Sequence, residues 1–317
     1  MKNRFLSGGV LPLLAAAMIW GGMFAVASSV LEVMDAFHLT LVRNGSAALL
    51  FALILLGAEG RASFRFEGKG PYAFVFGALG FAGFSLLVFN GLGHTRPEHA
   101  AVIMATMPML TAALNWGVRG ARPAPVTVAA IAVAFAGVIL VVSKGNAGFL
   151  HEGSIVGDVM ILGGALCWVG YTMGAAAFPG WSSLRYTAVT SLAGAVAIGF
   201  ATLGAIEMGD AHATSTAAIA AVHWQLGYMI VLATLLAVLA WNKGMKVLGP
   251  SNGVLFITFV PVTAFAIGFL RGHVVAASEV AGAALVVVAL IVNNLWPRLA
   301  DRLAARVQTH AVRTYTA

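Results

Sequence analysis

A few residues able to do chemistry stand inside long apolar runs of this sequence: Trp20, Phe24, Arg43, Trp168, Tyr171 and the pair Trp241-Asn242. Trp20 and Phe24 are four residues apart and Trp168 and Tyr171 three, so in a helix each pair shares one face. Two such faces turned toward each other wall a cavity suited to an organic solute. The same rings can instead fill gaps between helices or face lipid. Trp241-Asn242 adds a third ring and an amide. Arg43 leaves two alternatives open. It can grip a substrate carboxylate through two parallel hydrogen bonds, or it can cap carbonyls of a neighbouring helix and reach the outer interface near Glu32 or Asp35. Asn90 and Asn115 suit ordinary hydrogen bonding between helices.

The acidic residues are informative by position. None of the 11 Asp and Glu falls in the middle of an apolar run. Glu98, Asp158 and Glu279 sit in first helical turns, where the helix dipole favours negative charge. A buried carboxylate that trades a proton for a cationic drug is therefore not expected. The remaining proton carriers are His94 and His99, read as solvated loop histidines. Transport down the substrate's own gradient follows as the expectation, in preference to proton antiport. Sequence motifs for an enzyme are missing: no Gly-x-x-x-x-Gly-Lys-[Ser/Thr] loop, no His-Glu-x-x-His, no Gly-x-Ser-x-Gly and no aspartate cluster for Mg²⁺. The reading is a non-enzyme with no cofactor and no metal. The single cysteine, Cys167, excludes an intrachain disulfide.

The elements that must position these residues are transmembrane helices. Of 317 residues, 60% are hydrophobic and 9% charged, and the mean hydropathy is +0.93. A soluble domain carries charge on about a quarter of its positions. Apolar runs predict ten spans: Val10–Val30, Ala36–Gly57, Pro71–Gly91, Pro97–Val118, Ala124–Val142, Gly157–Ala177, Leu184–Ile206, Leu226–Leu248, Ser251–Leu270 and Glu279–Trp296. The N-terminal run from Lys2 to Ala25-Val26-Ala27 has the shape of a signal peptide. Its counterpart later in the chain marks it as a retained first span. With the N-terminus inside, fourteen lysines and arginines fall on the cytoplasmic side, among them Lys69, Arg122, Arg185 and Arg306. Three (Arg96, Lys144 and Arg271) fall outside, and Arg43 lies within a span. This bias predicts both termini in the cytoplasm and a multi-pass protein of a bacterial inner membrane. It also explains the net charge of +7 as a topology signal beside anionic inner-leaflet lipid, not as nucleic-acid binding. Trp116, Trp181, Trp224 and Trp296 fall at span ends, as an aromatic belt requires. The tail places Leu299, Leu303 and Val307 on one helical face among arginines, which suits the membrane surface.

The second half echoes the first. Pro97-Glu98-His99-Ala100 opens the fourth span and Pro250-Ser251-Asn252-Gly253 the ninth, each followed eleven residues on by an interior proline, Pro108 or Pro261. Each span closes on Arg-Gly, at Arg119-Gly120 and Arg271-Gly272, and Trp20-Gly21-Gly22 matches Trp168-Val169-Gly170. Five spans per copy is odd, so the copies enter the membrane from opposite sides. The fold class read here is all-α and polytopic, ten transmembrane helices as two inverted five-helix repeats. The divisions are residues 1–150, residues 151–297 and a surface tail, residues 298–317. Pro108 and Pro261 are candidate hinges or tolerated kinks.

Ten spans, Trp20-Gly21-Gly22, Arg43 in the second span and the proline-centred fourth and ninth spans together resemble the drug/metabolite transporter superfamily. The likeness is to its ten-helix exporter branch of paired EamA-type repeats. In length and aromatic content the chain is similar to the aromatic amino-acid exporters. One departure stands out: Arg-Gly occupies the positions where the family often has Gly-Glu, so no role of that glutamate carries over. The resemblance implies export of amino acids or other small metabolites by alternating access. The alternatives are an exporter of cationic aromatic drugs and a small-solute channel. The partners expected are a small-molecule substrate and the bilayer.

Overall fold

A computed structural model describes residues 6–145, 154–211, 214–248, 253, 256–257, 259–293 and 295–296. Among these residues all regular structure is helical, and each predicted span contains a helix. The helices are α1 (Gly8–Leu31), α2 (Ala36–Glu59), α3 (Gly70–Leu92), α4 (Pro97–Ala105 with Met107–Arg119), α5 (Pro125–Val141), α6 (Ile155–Ala177), α7 (Ser183–Met208), α8 (His223–Met245), α9 (Phe259–Leu270) and α10 (Ala277–Asn293). Six of them, α1 to α3 and α6 to α8, run 23 to 26 residues, enough at about 1.5 Å per residue to cross the hydrocarbon. The two pieces of α4 make a seventh crossing if taken together. The tail 298–317 and the division near residue 150 lie outside the described residues.

Local chemistry sets the helix ends. The Asp35 carboxylate accepts from the Phe37 and His38 amides at 2.9 Å and opens α2, and the Ser182 hydroxyl caps α7 through the Arg185 amide. Pro97 and Pro125 occupy first turns, where a missing N–H costs little. Pro108 has a different effect. It removes the amide that would bond the Met104 carbonyl and its ring crowds that carbonyl, so α4 breaks at Thr106 and turns by 48°. The Thr106 hydroxyl donates to the Ile103 carbonyl at 2.7 Å and satisfies a group exposed by the break. Pro261 is the third residue of α9; much of the chain just before it lies outside the described residues.

The most extensive helix contacts obey the exchange of halves. That exchange turns α3–α6 into α8–α1, α1–α9 into α6–α4 and α3–α7 into α8–α2, and it returns α2–α7 and α4–α9 to themselves; every one of these pairs touches. Glycines allow the closest approaches. A Cβ on Gly91 would lie 2.7 Å from the Gly157 carbonyl oxygen, and one on Gly244 would lie 2.9 Å from that of Gly9. These two crossings are images of each other, since Gly157 corresponds to Gly9 and Gly244 to Gly91 in the register set by Trp168/Trp20 and Pro250/Pro97. The halves also share an irregularity: α3 widens to π-helical turns over Ala78–Gly83 and its counterpart α8 over Tyr228–Leu236. Outward faces carry large exposed apolar side chains such as Leu53, Phe200, Leu203 and Phe269, as a lipid-facing surface must.

Candidate functional site

Between the halves lies a cavity of about 560 Å³. Its wall includes all seven residues singled out from the sequence: Trp20, Phe24, Arg43, Trp168, Tyr171, Trp241 and Asn242. Each central tryptophan leans on a ring from the opposite half. Trp20 of α1 meets Trp241 of α8 with centroids 5.1 Å apart, and Trp168 of α6 meets Phe84 of α3 at 5.1 Å. Trp168 also meets Tyr171 at 5.2 Å, whose ring stacks on Tyr186. Trp20 Nε1 donates to the Ala233 carbonyl at 2.9 Å, inside the widened stretch of α8. The π-turns thus supply a carbonyl that a regular helix would use internally. Pro108 lines the cavity beside the α4 break; Pro261 is not among the lining residues.

Arg43 resolves its two alternatives in favour of the interior. Its side chain is buried and does not reach Glu32 or Asp35; Asp35 is occupied by His38 and the start of α2. Its guanidinium approaches the Ser85 hydroxyl and the Met23 sulfur at 3.5 Å each and lies 5.4 Å from the Phe89 ring centroid. Its Nε has no hydrogen-bond partner, and no ion pair among the described residues includes it. Ser85 Oγ also accepts from Asn44 Nδ2 at 2.9 Å, which leaves its own proton free to donate. Among the described residues no Asp or Glu lines the cavity. A buried cation with neutral neighbours in an aromatic chamber is suited to hold an anionic group.

Among the described residues the exposed part of the cavity lining lies toward one end. Exposed Thr172, Ala175, Ser182 and Asn242 line it toward the lysine- and arginine-rich end of the bundle. There the loops after α2 and α6 are joined. Arg185 donates to the Ser63 and Arg65 carbonyls and to Glu67, and lies 4.2 Å from the Trp181 ring centroid. Trp181 Nε1 donates to Glu67 at 2.9 Å. The Trp181 bond first, and then Arg185, hold the Glu67 carboxyl below the usual carboxylate range.

The opposite end is shut, and here the structure corrects the sequence reading. His94 is exposed, but His99 is fully buried and not a solvated loop group. Glu98, Asp158 and Glu279 are also buried, and with Arg96, Thr95 and His273 they join α4, α6, the loop after α9 and α10. Every residue of Pro97–Ala105 is buried. Asn90 differs from expectation too, since its amide donates to Leu86 within its own helix. Sequence reasoning missed Ser85 and Asn44, and it missed that the residues of this cluster are buried together. A serine or asparagine in an apolar run carries weak signal, because it so often bonds its own helix.

The family model described as the EamA-like transporter family matches residues 7–143 and again residues 155–295, one match per repeat. An "Uncharacterized transporter YrdR" of Bacillus subtilis is 36% identical over 309 residues, covering 95% of both chains. "Uncharacterized transporter YyaM" of the same organism is 31% identical, covering 78% of this chain and 81% of its own. A crystal structure superposes with a TM-score of 0.63 over 91% of this chain and 97% of its own; at 20% identity that supports the fold alone. The chain, a multi-pass membrane protein matched in both halves, belongs to the EamA-like transporter family.

Proposed function

We propose that this transporter exports small amino acids with aromatic or hydrophobic side chains from the cytoplasm across a bacterial inner membrane, by alternating access and as a uniporter. The observation that carries the reading is Arg43, buried without a carboxylate partner among the described residues and facing an aromatic-walled cavity. A substrate carboxylate supplies the missing charge, Ser85 adds a second donor, and the tryptophans offer faces to an apolar side chain or an ammonium group. The lysine- and arginine-rich end, where the cavity opens, is assigned to the cytoplasm with both termini. Inverted halves provide a second packing, related by the pseudo-two-fold axis in the membrane plane and open to the other side. Cationic aromatic drugs fit less well, because the wall offers a cation and no carboxylate. A channel fits less well because the far end is closed by buried side chains.

Counterflow in proteoliposomes tests this reading. Labelled phenylalanine should exchange against internal phenylalanine, phenylpropionate should compete, and phenethylamine, which lacks the carboxylate, should not. Arg43→Gln should raise the half-saturation concentration at least tenfold, as loss of a charged hydrogen bond worth about 1.5–3 kcal/mol requires. Uptake of ethidium or tetraphenylphosphonium with no amino-acid exchange would overturn the proposal.

A further inference from the structure

We propose that His99, Asp158 and Glu279 form a proton-binding latch at the closed end, and that the proton it holds keeps that end shut. The hydrogen-bond inventory carries the argument. Thr95 Oγ1 donates its one proton to Asp158 Oδ1 at 2.7 Å, so toward His99 Nδ1, 3.2 Å away, it can only accept. Glu279 Oε1 already accepts from Arg96 Nη1 at 2.8 Å and lies 3.2 Å from His99 Nε2, where as a carboxylate it again accepts. Both ring nitrogens of His99 thus meet acceptors, the arrangement that an imidazolium satisfies. Glu279 cannot turn away, since its other oxygen accepts from the Ala276 amide at 2.7 Å, closing the first turn of α10.

One unsatisfied atom lies beside the same proton, and a second lies beside Arg96. Asp158 Oδ2 and Glu98 Oε2 are buried without hydrogen bonds. Asp158 Oδ2 has His99 Nδ1 at 3.5 Å, and Glu98 Oε2 has Arg96 Nε at 3.5 Å. These oxygens depend on nearby positive charge. The charged groups facing His99 are Arg96 and Glu98 beside it in sequence, Asp158 on α6, Glu279 on α10 and, through Glu98 at 2.9 Å, His273 of the loop after α9. Arg271, after α9, is turned to the Ala25 carbonyl and Ser29, and exposed His94, after α3, packs against Gly157 beside Asp158. With His99 neutral, three carboxylates would face Arg96 and a partly exposed His273. With His99 charged, the cluster approaches balance.

Opening this end separates α4 from α6 and α10 and hydrates His99, Asp158 and Glu279, which removes the reason to hold the extra proton. The closed form then binds one proton more than the open form, so acid on this side favours closure and alkali favours opening. The latch sits at one end and faces only that side, so it sets a rate without driving accumulation, and it is compatible with uniport.

Hydrogen–deuterium exchange of the wild-type protein in nanodiscs at pH 6, 7 and 8, corrected for the intrinsic exchange rate, tests this without any substrate. Protection of 97–105 and 277–283 should fall as pH rises, by up to tenfold per unit for one linked proton, while protection of the α2–α7 contact stays constant. His99→Gln should abolish the pH dependence; if that variant fails to insert, Glu279→Gln should weaken it. Equal wild-type protection at all three pH values, or a pH dependence unchanged in either variant, would overturn the latch. Failure of phenylalanine exchange would leave this measurement untouched.

Discussion

Trp168 is half-buried, so one of its surfaces is committed to Phe84 and Tyr171 while the rest lines the cavity. Truncation removes both ring pairs and the surface offered to a substrate. Each aromatic pair contributes about 0.5–1.5 kcal/mol beyond its buried area, and 1 kcal/mol changes an affinity about fivefold. Trp168→Ala should therefore raise the half-saturation concentration for phenylalanine counterflow about fivefold or more while the protein still inserts, and Trp168→Phe should recover most of the loss. Wild-type kinetics in Trp168→Ala at normal expression would remove this ring from the site. Trp20 differs, because its indole N–H is tied to the α8 backbone; substitution there disturbs a helix contact as well as the cavity. Both rings stand out as tryptophans in apolar runs. Nothing in the sequence distinguishes one bonded to a neighbouring backbone from one free to meet a ligand.

At the scale of elements, the glycine crossings decide how closely the halves meet. A side chain at Gly91 would enter the α6 backbone, and one at Gly244 would meet both the Gly9 carbonyl and Leu13. Overpacking of this kind costs about 1–3 kcal/mol, and more where the obstacle is backbone. Gly91→Leu and Gly244→Leu should each lower the thermal midpoint in detergent by several degrees, while Gly45→Leu, whose Cβ meets nothing within 4 Å, should not. Equal midpoints for all three variants would refute the close packing at the two crossings, and a loss in only one of the pair would refute their equivalence. The break in α4 was legible as an interior proline. Its size and its place beside the cavity depend on how α6 and α9 support the two pieces. The π-turns of α3 and α8 carry no sequence mark, because they arise where helix contacts favour a locally wider winding over regular spacing.

For the whole molecule, sidedness is the claim on which the export direction rests. Lys69 and Arg122 lie at the end where the cavity opens, and Val274, 89% exposed, lies at the other. With Cys167 replaced by alanine, cysteines at Lys69 and Arg122 should react with an impermeant maleimide only after the cells are opened. A cysteine at Val274 should react in intact cells. Labelling of the first two from outside would reverse the orientation, and with it the assignment of the cavity to the cytoplasm.

Helix number, helix type and the inverted repeat were determined by the sequence itself, because the length of an apolar run and the matched prolines and tryptophans are local properties of the chain. Arg43 was visible as a buried cation, but its alternatives were not separable, since its partners come from residues 20 and 42 positions away. The cluster at the closed end was misread for the same reason. Glu98, Asp158 and Glu279 each occupy a first turn, a position that in sequence signals only a helix dipole and solvent. Tertiary structure alone brings those three turns together with His99 around the buried first piece of α4, and burial, not residue type, converts what sequence reads as surface charges into an interior cluster.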